Sequence, residues 1–158
     1  MIVLEIASVD DVDELVSTQV RAFIDDNKNK PAGYSLEGPP GYDSLDWNSH
    51  WIQNTHYYKI LSSGHIVGGL ILFDMGRNQM EVGRIWIDPV HQNQKIGLTA
   101  MNTMFALHPD VCLWTLGTPS WAERNQHFYE KLGFIKIRET DVDPHLGWSG
   151  VEYEYHLE

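Results

Sequence analysis

One stretch near the middle of the chain decides the fold class: IWIDPVHQNQKIG, residues 85–97. An apolar strand stops at Asp88-Pro89, a polar loop follows, and a helix begins near Gln94. Such a loop directs backbone N–H groups to one point at the positive end of a helix dipole, which suits a pyrophosphate. Gly97 lets the backbone approach a phosphate closely. On pattern alone, an ordinary strand-to-helix loop explains the stretch equally well.

The remaining chain alternates strands and helices around this stretch. The predicted strands are 2–6, 57–61, 65–73, 80–87, 111–116, 134–138 and 151–156, and the predicted helices cover about 12–23, a short segment with Trp47 and Trp51, 94–107 and 121–132. Antiparallel strands that lead into β-α-β-α-β indicate a mixed α/β (α+β) fold with helices on both faces of one sheet. We expect one domain, residues 1–158, because 158 residues leave little room for two.

Two motifs resemble those of a known family. Neither a P-loop nor a G-x-G-x-x-G dinucleotide motif is present. The segment Gln92–Gly97, QNQKIG, resembles the Q/R-x-x-G-x-G/A acetyl-CoA motif of the GNAT superfamily of N-acetyltransferases. Farther on, Asn125–Phe134 contains FYEKLGF, which is similar to the C-terminal signature of that family. The resemblance covers residues 57–140 well and the N-terminal third by topology, with Lys95 in place of the first glycine of the motif.

The resemblance implies a GNAT fold, with a central mixed β-sheet of about six or seven strands that splays between 80–87 and 111–116. It further implies that the pantetheine arm of acetyl-CoA enters this gap as an added strand. The implied cofactor-binding residues are the backbone of Ile85, Trp86 and Ile87, the loop residues Gln92, Asn93, Gln94, Lys95, Ile96 and Gly97, and Asn125.

Acetylation of an amine also needs proton transfer, because an alkyl ammonium with a pKa near 10.4 must lose its proton before it attacks. Strand alternation would place Glu81 on the face of Ile85, and by resemblance its strand carries the catalytic base. Asp74 is the rival base. Tyr129 matches the family tyrosine that assists the departing thiolate. Two of these residues also have a purely structural explanation. Glu81 could be a solvent-exposed residue at a strand start, and Tyr129 could be a buried packing residue.

Six aromatic residues upstream suggest where the acceptor binds. With the acidic residues Glu37, Asp43 and Asp46 nearby, they would suit an amine or another cation, although ordinary core packing explains them as well. The aromatic residues are Tyr34, Tyr42, Trp47, Trp51, Tyr57 and Tyr58. The expected partner is a small-molecule or peptide amine.

Charge and composition exclude other classes. The formal net charge of −11 opposes binding to nucleic acid or anionic lipid, and no apolar run is long enough for a membrane span. No histidine pair has metal-ligand spacing, so we expect no metal. Cys112, between two apolar residues, is expected to be buried. A cytoplasmic protein is expected, and a homodimer stays open.

The sequence therefore predicts an acyltransferase that moves an acetyl group from acetyl-CoA to a primary amine by direct attack in a ternary complex. The alternative is a non-catalytic acyl-CoA-binding sensor or interaction module of the same fold. Release of CoA in the presence of amines would distinguish the two.

Overall fold

The computed structural model describes residues 1–157, which form a mixed α/β fold around one seven-stranded sheet of order β1-β2-β3-β4-β5-β7-β6. The strands are β1 (Ile2–Ile6), β2 (His56–Ser62), β3 (His65–Gly76), β4 (Gln79–Ile87), β5 (Leu113–Pro119), β6 (Ile135–Glu139) and β7 (Gly150–His156), and the helices are α1 (Val12–Asp25), α2 (Leu45–Asn54), α3 (Ile96–Leu107) and α4 (Glu123–Leu132). The predicted element order is confirmed, with boundaries that differ by up to three residues. No described helix is long and apolar enough to cross a membrane.

The sheet separates two apolar cores. One core packs α3 and α4 against the sheet through residues such as Met101, Met104 and Tyr129. The other core lies under α1 and α2 and includes Leu15 and Ile52. Each helix buries one face because its apolar residues recur at helical spacing, whereas central strands such as β3 bury both faces.

The sheet splays between β4 and β5. These two neighbours are parallel, and they pair only from Gln79 to Glu81 against Leu113 to Thr115. Beyond that point β5 continues to pair with β7, and β4 continues to pair with β3. The later residues of β4 therefore present backbone groups that β5 does not occupy, and the predicted gap is confirmed.

A β-bulge interrupts β4 at Gly83. Ile71 of β3 pairs with Arg84 and the next residue, Leu72, pairs with Val82, so Gly83 has no partner in this ladder. A Cβ at Gly83 would fall 2.2 Å from Cε2 of Phe73, which explains why glycine stands there. The extra residue reverses the alternation, so side chains before and after the bulge do not follow one parity.

The expected burial of Cys112 is wrong. Cys112 lies just before β5, which starts at Leu113, and its side chain is exposed. Its backbone instead bridges two segments: its N–H donates to the carbonyl of Asn78, and its carbonyl accepts from the N–H of Leu157, each at 2.8 Å. The neighbouring Val111 takes the buried position.

Candidate active site

The loop between β4 and α3 has an unusual backbone. Asn93 and Lys95 both adopt the left-handed region, with φ of 65° and 59°. Lys95 is the residue that precedes α3, and no side chain among residues 1–157 caps this end of the helix. The first N–H groups of α3 are therefore left for a ligand at the positive end of its dipole.

Two contacts fix the base of this loop. Nε2 of Gln92 donates to the carbonyl of Ile87 at 3.3 Å. Asp88 is buried and forms an ion pair with Arg21 of α1 at 2.7 Å. Burial raises the pKa of Asp88, but the hydrogen bonds from Arg21 and from the N–H of Val90 outweigh burial, so the net pKa lies below its ordinary value of 3.8.

A cavity of about 750 Å³ extends from this loop along the open edge of β4 to α4. All of the predicted cofactor residues line it except Gln94, which is exposed outside it. Its cationic side chains are Lys95, Arg124 and Lys131, and its carboxylates are Asp26 and Glu123. In a protein that is strongly acidic as a whole, this local excess of lysine and arginine favours the binding of an anion. The lining residues are Ala22, Phe23, Asp26, Asn29, Ile85, Trp86, Ile87, His91, Gln92, Asn93, Lys95, Ile96, Gly97, Leu98, Trp121, Ala122, Glu123, Arg124, Asn125, Phe128, Tyr129 and Lys131.

Trp86 contributes only its backbone to this cavity. Its indole is buried under α1, where Nε1 donates to the Oγ1 of Thr18 at 3.0 Å and the ring meets Tyr57 edge-on. Asn125, one helical turn before Tyr129, donates through Nδ2 to the Oγ1 of Thr118 at 3.3 Å. This bond turns the Asn125 side chain towards the end of β5, on the far side of the gap.

A second cavity, of about 280 Å³, adjoins the first on the other side of the gap. It lies between the loop after α1, the bulged part of β4, the end of β5 and the segment before β7. Six residues border both cavities and so define where they meet: Phe23, Asp26, Ile85, Trp121, Asn125 and Tyr129. Nε1 of Trp121 is a buried donor without a hydrogen-bond partner among residues 1–157.

Tyr129 reaches this junction from α4. Its ring is buried, and its hydroxyl has no hydrogen-bond partner within the described part of the chain. Burial, together with the nearby Asp26 carboxylate, raises the pKa of Tyr129 above its ordinary value of 10.0. The hydroxyl therefore stays protonated near neutral pH and is free to donate.

Asp26 reaches the same junction from the end of α1, and sequence reasoning missed it. Burial raises the pKa of Asp26 above 3.8, and the neighbouring Asp25 adds to the rise, although Arg124 and Lys30 oppose it. The sequence pattern suggested only that a helix fades at Asp25-Asp26. In the structure a 3-10 turn, Asp26–Asn29, continues α1 and brings the carboxylate to the cavity wall.

Glu81 and Asp74 border neither cavity. The expectation that Glu81 shares a face with Ile85 is wrong. Val82 and Ile85 both pack against the core under α3 and α4, so Glu81 projects to the other side, opposite Phe73. The bulge at Gly83 is the cause. Asp74 is exposed and accepts a hydrogen bond from the N–H of Gly76 at the far end of β3.

The six upstream aromatic residues do not line the second cavity. Tyr57 is fully buried, with its hydroxyl bonded to Asn48, and Tyr58 bonds His108 in the opposite core. The face of Trp47 is covered by Arg84, whose Cζ lies 4.6 Å from the ring centroid. The aromatic residues that border this cavity are Phe23, Tyr129, Trp121 and Trp148. Among residues 1–157, no cluster of three potential metal ligands occurs.

The fold and the site agree with what sequence comparison shows. The family described as the Acetyltransferase (GNAT) family matches residues 19–134, well over half of the chain. The chain therefore belongs to the GNAT family and is an acetyltransferase by class.

Individual proteins share the sequence or the fold of this chain. YrkN of Bacillus subtilis (strain 168) is 29% identical over 156 residues, which cover 96% of this chain and 84% of that protein. The PaiA N-acetyltransferase of Thermoplasma acidophilum, solved in complex with coenzyme A, superposes with a TM-score of 0.78 at 16% identity, over 98% of this chain and 99% of that one. An acetyltransferase of Thermus thermophilus superposes with a TM-score of 0.78 at 14% identity, over 99% of this chain and 97% of that one. These structural similarities show the shared fold.

Proposed function

We propose that this protein transfers the acetyl group of acetyl-CoA to a primary amine by direct attack in a ternary complex. One observation carries the proposal: a long cation-lined cavity and a small second cavity meet at Asp26, Asn125 and Tyr129, in the gap between β4 and β5. A cofactor site alone would need only the first cavity. The second gives an acceptor a place beside the thioester, which favours an enzyme over a sensor.

The cofactor would be held mainly by backbone. The pantetheine arm would pair with the free edge of Ile85–Ile87, and the pyrophosphate would accept from the N–H groups at the start of α3, beside Lys95. The coenzyme A bound to the Thermoplasma acidophilum relative supports this ligand. Since backbone pairing depends little on side chains, residues along this edge can vary without loss of the site.

The reaction needs two proton-handling groups. The amine nitrogen attacks the thioester carbonyl carbon, the C–S bond breaks, the sulfur leaves as a thiolate, and the surplus proton on the attacking nitrogen passes to that thiolate or to water. Asp26 is the first candidate to accept the ammonium proton, because it borders both cavities and its raised pKa makes it a stronger base than an ordinary aspartate. Glu81 stays the alternative base, and it would have to act through water.

Tyr129 would stabilise the thiolate by a hydrogen bond rather than by full protonation. A thiol has a pKa of about 8.5, below that of even an ordinary tyrosine, so complete transfer from Tyr129 is uphill by at least ~2 kcal/mol. A hydrogen bond from a neutral hydroxyl to a developing anion needs no such transfer and strengthens as charge grows. The raised pKa of Tyr129 therefore suits a donor that keeps its proton.

Calorimetry with acetyl-CoA and a CoA-release assay against a panel of amines test the proposal. We expect binding in the micromolar range, about −8 kcal/mol, and amine-dependent release of CoA. Absence of binding at millimolar ligand would refute the proposed cofactor. Binding without release of CoA for any amine would instead support the non-catalytic alternative.

A further inference from the structure

Arg84 is a cation without a counter-ion. It is partly buried, and it forms no ion pair with a carboxylate within residues 1–157. Nη1 donates to the Oε1 of Gln19 at 2.8 Å, and Nη2 donates to the carbonyl of Pro40 at 3.0 Å. The remaining N–H donors of its guanidinium have no acceptor in the described part of the chain. Because a desolvated charge is unfavourable without a partner, such a residue calls for an explanation.

The position of this guanidinium is fixed by its surroundings. It lies between two aromatic rings, with Cζ 4.6 Å from the centroid of Trp47 and 5.6 Å from that of Phe23. Gln19, which accepts from it, is itself held through Nε2 by the Oδ1 of Asn48 at 3.0 Å. Burial lowers the pKa of Arg84 to about 10, so it is fully charged at neutral pH. A preorganised cation of this kind can bind an anion with little loss of side-chain entropy.

Arg84 borders the second cavity, and two of its neighbours, Phe23 and Pro40, border it as well. Lys30, the other strong cation there, differs because its Nζ already donates to the carbonyls of Ser35 and Glu37 at 2.9 and 2.8 Å. Of the two cations, Arg84 therefore keeps the larger number of free donors: three of its five N–H groups, against one of the three on Lys30. Its cavity, about 280 Å³, is below the usual size for drug-like ligands, so it suits a small acceptor.

We propose that Arg84 binds an anionic group, foremost a carboxylate, of the acceptor, and hence that the acceptor is a small amine with a carboxylate a few bonds from the nitrogen, as in an amino acid. This inference rests on the proposed acetyl transfer and deepens it. The acceptor nitrogen lies at the junction beside Asp26, and the anionic group lies against Arg84 in the same cavity. A carboxylate and a guanidinium on the wall of one cavity match the two charges of a zwitterion.

Steady-state kinetics with matched pairs of acceptors test the inference. Each amino acid is compared with the amine that lacks its carboxylate, and aminoalkyl phosphates form a third arm that distinguishes a phosphate from a carboxylate. For the native protein we expect kcat/KM to be about 10²-fold higher for the anionic member of a pair, because a site built for a charged group rejects the analogue that lacks it. In Arg84→Gln this ratio should fall to near one.

Two further variants separate recognition from folding. Arg138→Gln removes an exposed arginine on β6 that bonds Glu152 and lines neither cavity, and it should keep the native ratio. Arg84→Lys keeps the charge but not the planar fork, and should retain only part of the preference. Because each readout is a ratio within one variant, a general loss of folded protein does not change it.

Failure of this inference differs from failure of the proposed function. Efficient acetylation of amines that lack a carboxylate or phosphate, with no preference for amines that carry one, would refute the role of Arg84 while the transferase function stands. A preference that persists in Arg84→Gln would also refute it. If no amine at all releases CoA, binding of the N-acetyl amino acid products to the CoA-loaded protein can be measured by calorimetry. Loss of that binding in Arg84→Gln would support the inference, and its absence in the native protein would refute it.

Discussion

Substitution of Gly97 tests the cofactor site most directly, because the structure separates an effect on binding from an effect on folding. Gly97 lies in the first turn of α3. A Cβ there would be 3.4 Å from Cζ and 3.5 Å from Cε1 of Phe128, and 4.0 Å from Cγ1 of Ile87. These are ordinary van der Waals distances, and the backbone at Gly97 is not left-handed. The protein can therefore accept a side chain at this position.

The expected effect of Gly97→Val follows from these distances. Valine has a somewhat better helix propensity than glycine, so the free energy of unfolding should change by less than about 1 kcal/mol. Its γ-methyl groups would fill space beside the N–H groups at the start of α3. Loss of one hydrogen bond to a charged phosphate removes about 1.5–3 kcal/mol, which corresponds to a 10- to 150-fold weaker affinity for CoA.

Calorimetry and denaturant unfolding on the same preparations check this expectation. Gly97→Ala should give a smaller loss of affinity with equal or higher stability. Asn102→Val, in the same helix but exposed and outside the cavity, is the matched control and should bind CoA like the native protein. If Gly97→Val binds CoA with unchanged affinity, the pyrophosphate does not lie at this helix end.

The remaining predictions concern proton transfer and acid stability. Tyr129→Phe should lower kcat about 10²-fold with little change in CoA affinity, measured by steady-state kinetics and calorimetry; an unchanged kcat would leave Tyr129 only a packing role. Asp26→Asn should lower kcat/KM about 10²-fold or more near neutral pH and less as the pH approaches the pKa of the amine, while Glu81→Gln should have a small effect; the reverse order would make Glu81 the base. Because the folded pKa of Asp88 is depressed, its ion pair with Arg21 stabilises the protein above pH 3.8 and is lost as the pH falls through the folded value. Asp88→Asn should therefore unfold more easily at pH 7, by at most about 1 kcal/mol, and the difference should vanish in denaturant titrations at lower pH.

The loop and helix proposed to hold the cofactor could be predicted from sequence as structural elements because their signals are local. Pro89, the polar loop and Gly97 mark the turn from strand to helix within a dozen positions, and Tyr129 lies in a second contiguous motif. The left-handed backbone at Lys95 fits the glycine of the family motif, because glycine adopts this conformation most easily; lysine adopts it at a cost of about 1–2 kcal/mol.

The acceptor half could not be predicted in the same way. Glu81 was placed on the wrong face because strict alternation was assumed, and a bulge is set by the pairing of two strands rather than by one of them. Asp26 and Arg84 meet the same cavity although they are far apart in the chain, and only tertiary packing brings them together. The upstream aromatic residues were wrongly predicted to line the acceptor site, because a cluster of aromatic side chains is equally typical of a ligand pocket and of a packed core.

The bulge at Gly83 has a consequence for how such a protein can diverge. Its extra residue reverses the alternation of side chains along β4, while pairing with β3 continues on both sides of Gly83. Arg84, just after the bulge, borders the cavity proposed for the acceptor, whereas the main chain proposed to pair with the cofactor follows within a few positions. A substitution at residue 84 in a related protein would therefore change the acceptor cavity and leave the main chain of the proposed cofactor site unchanged.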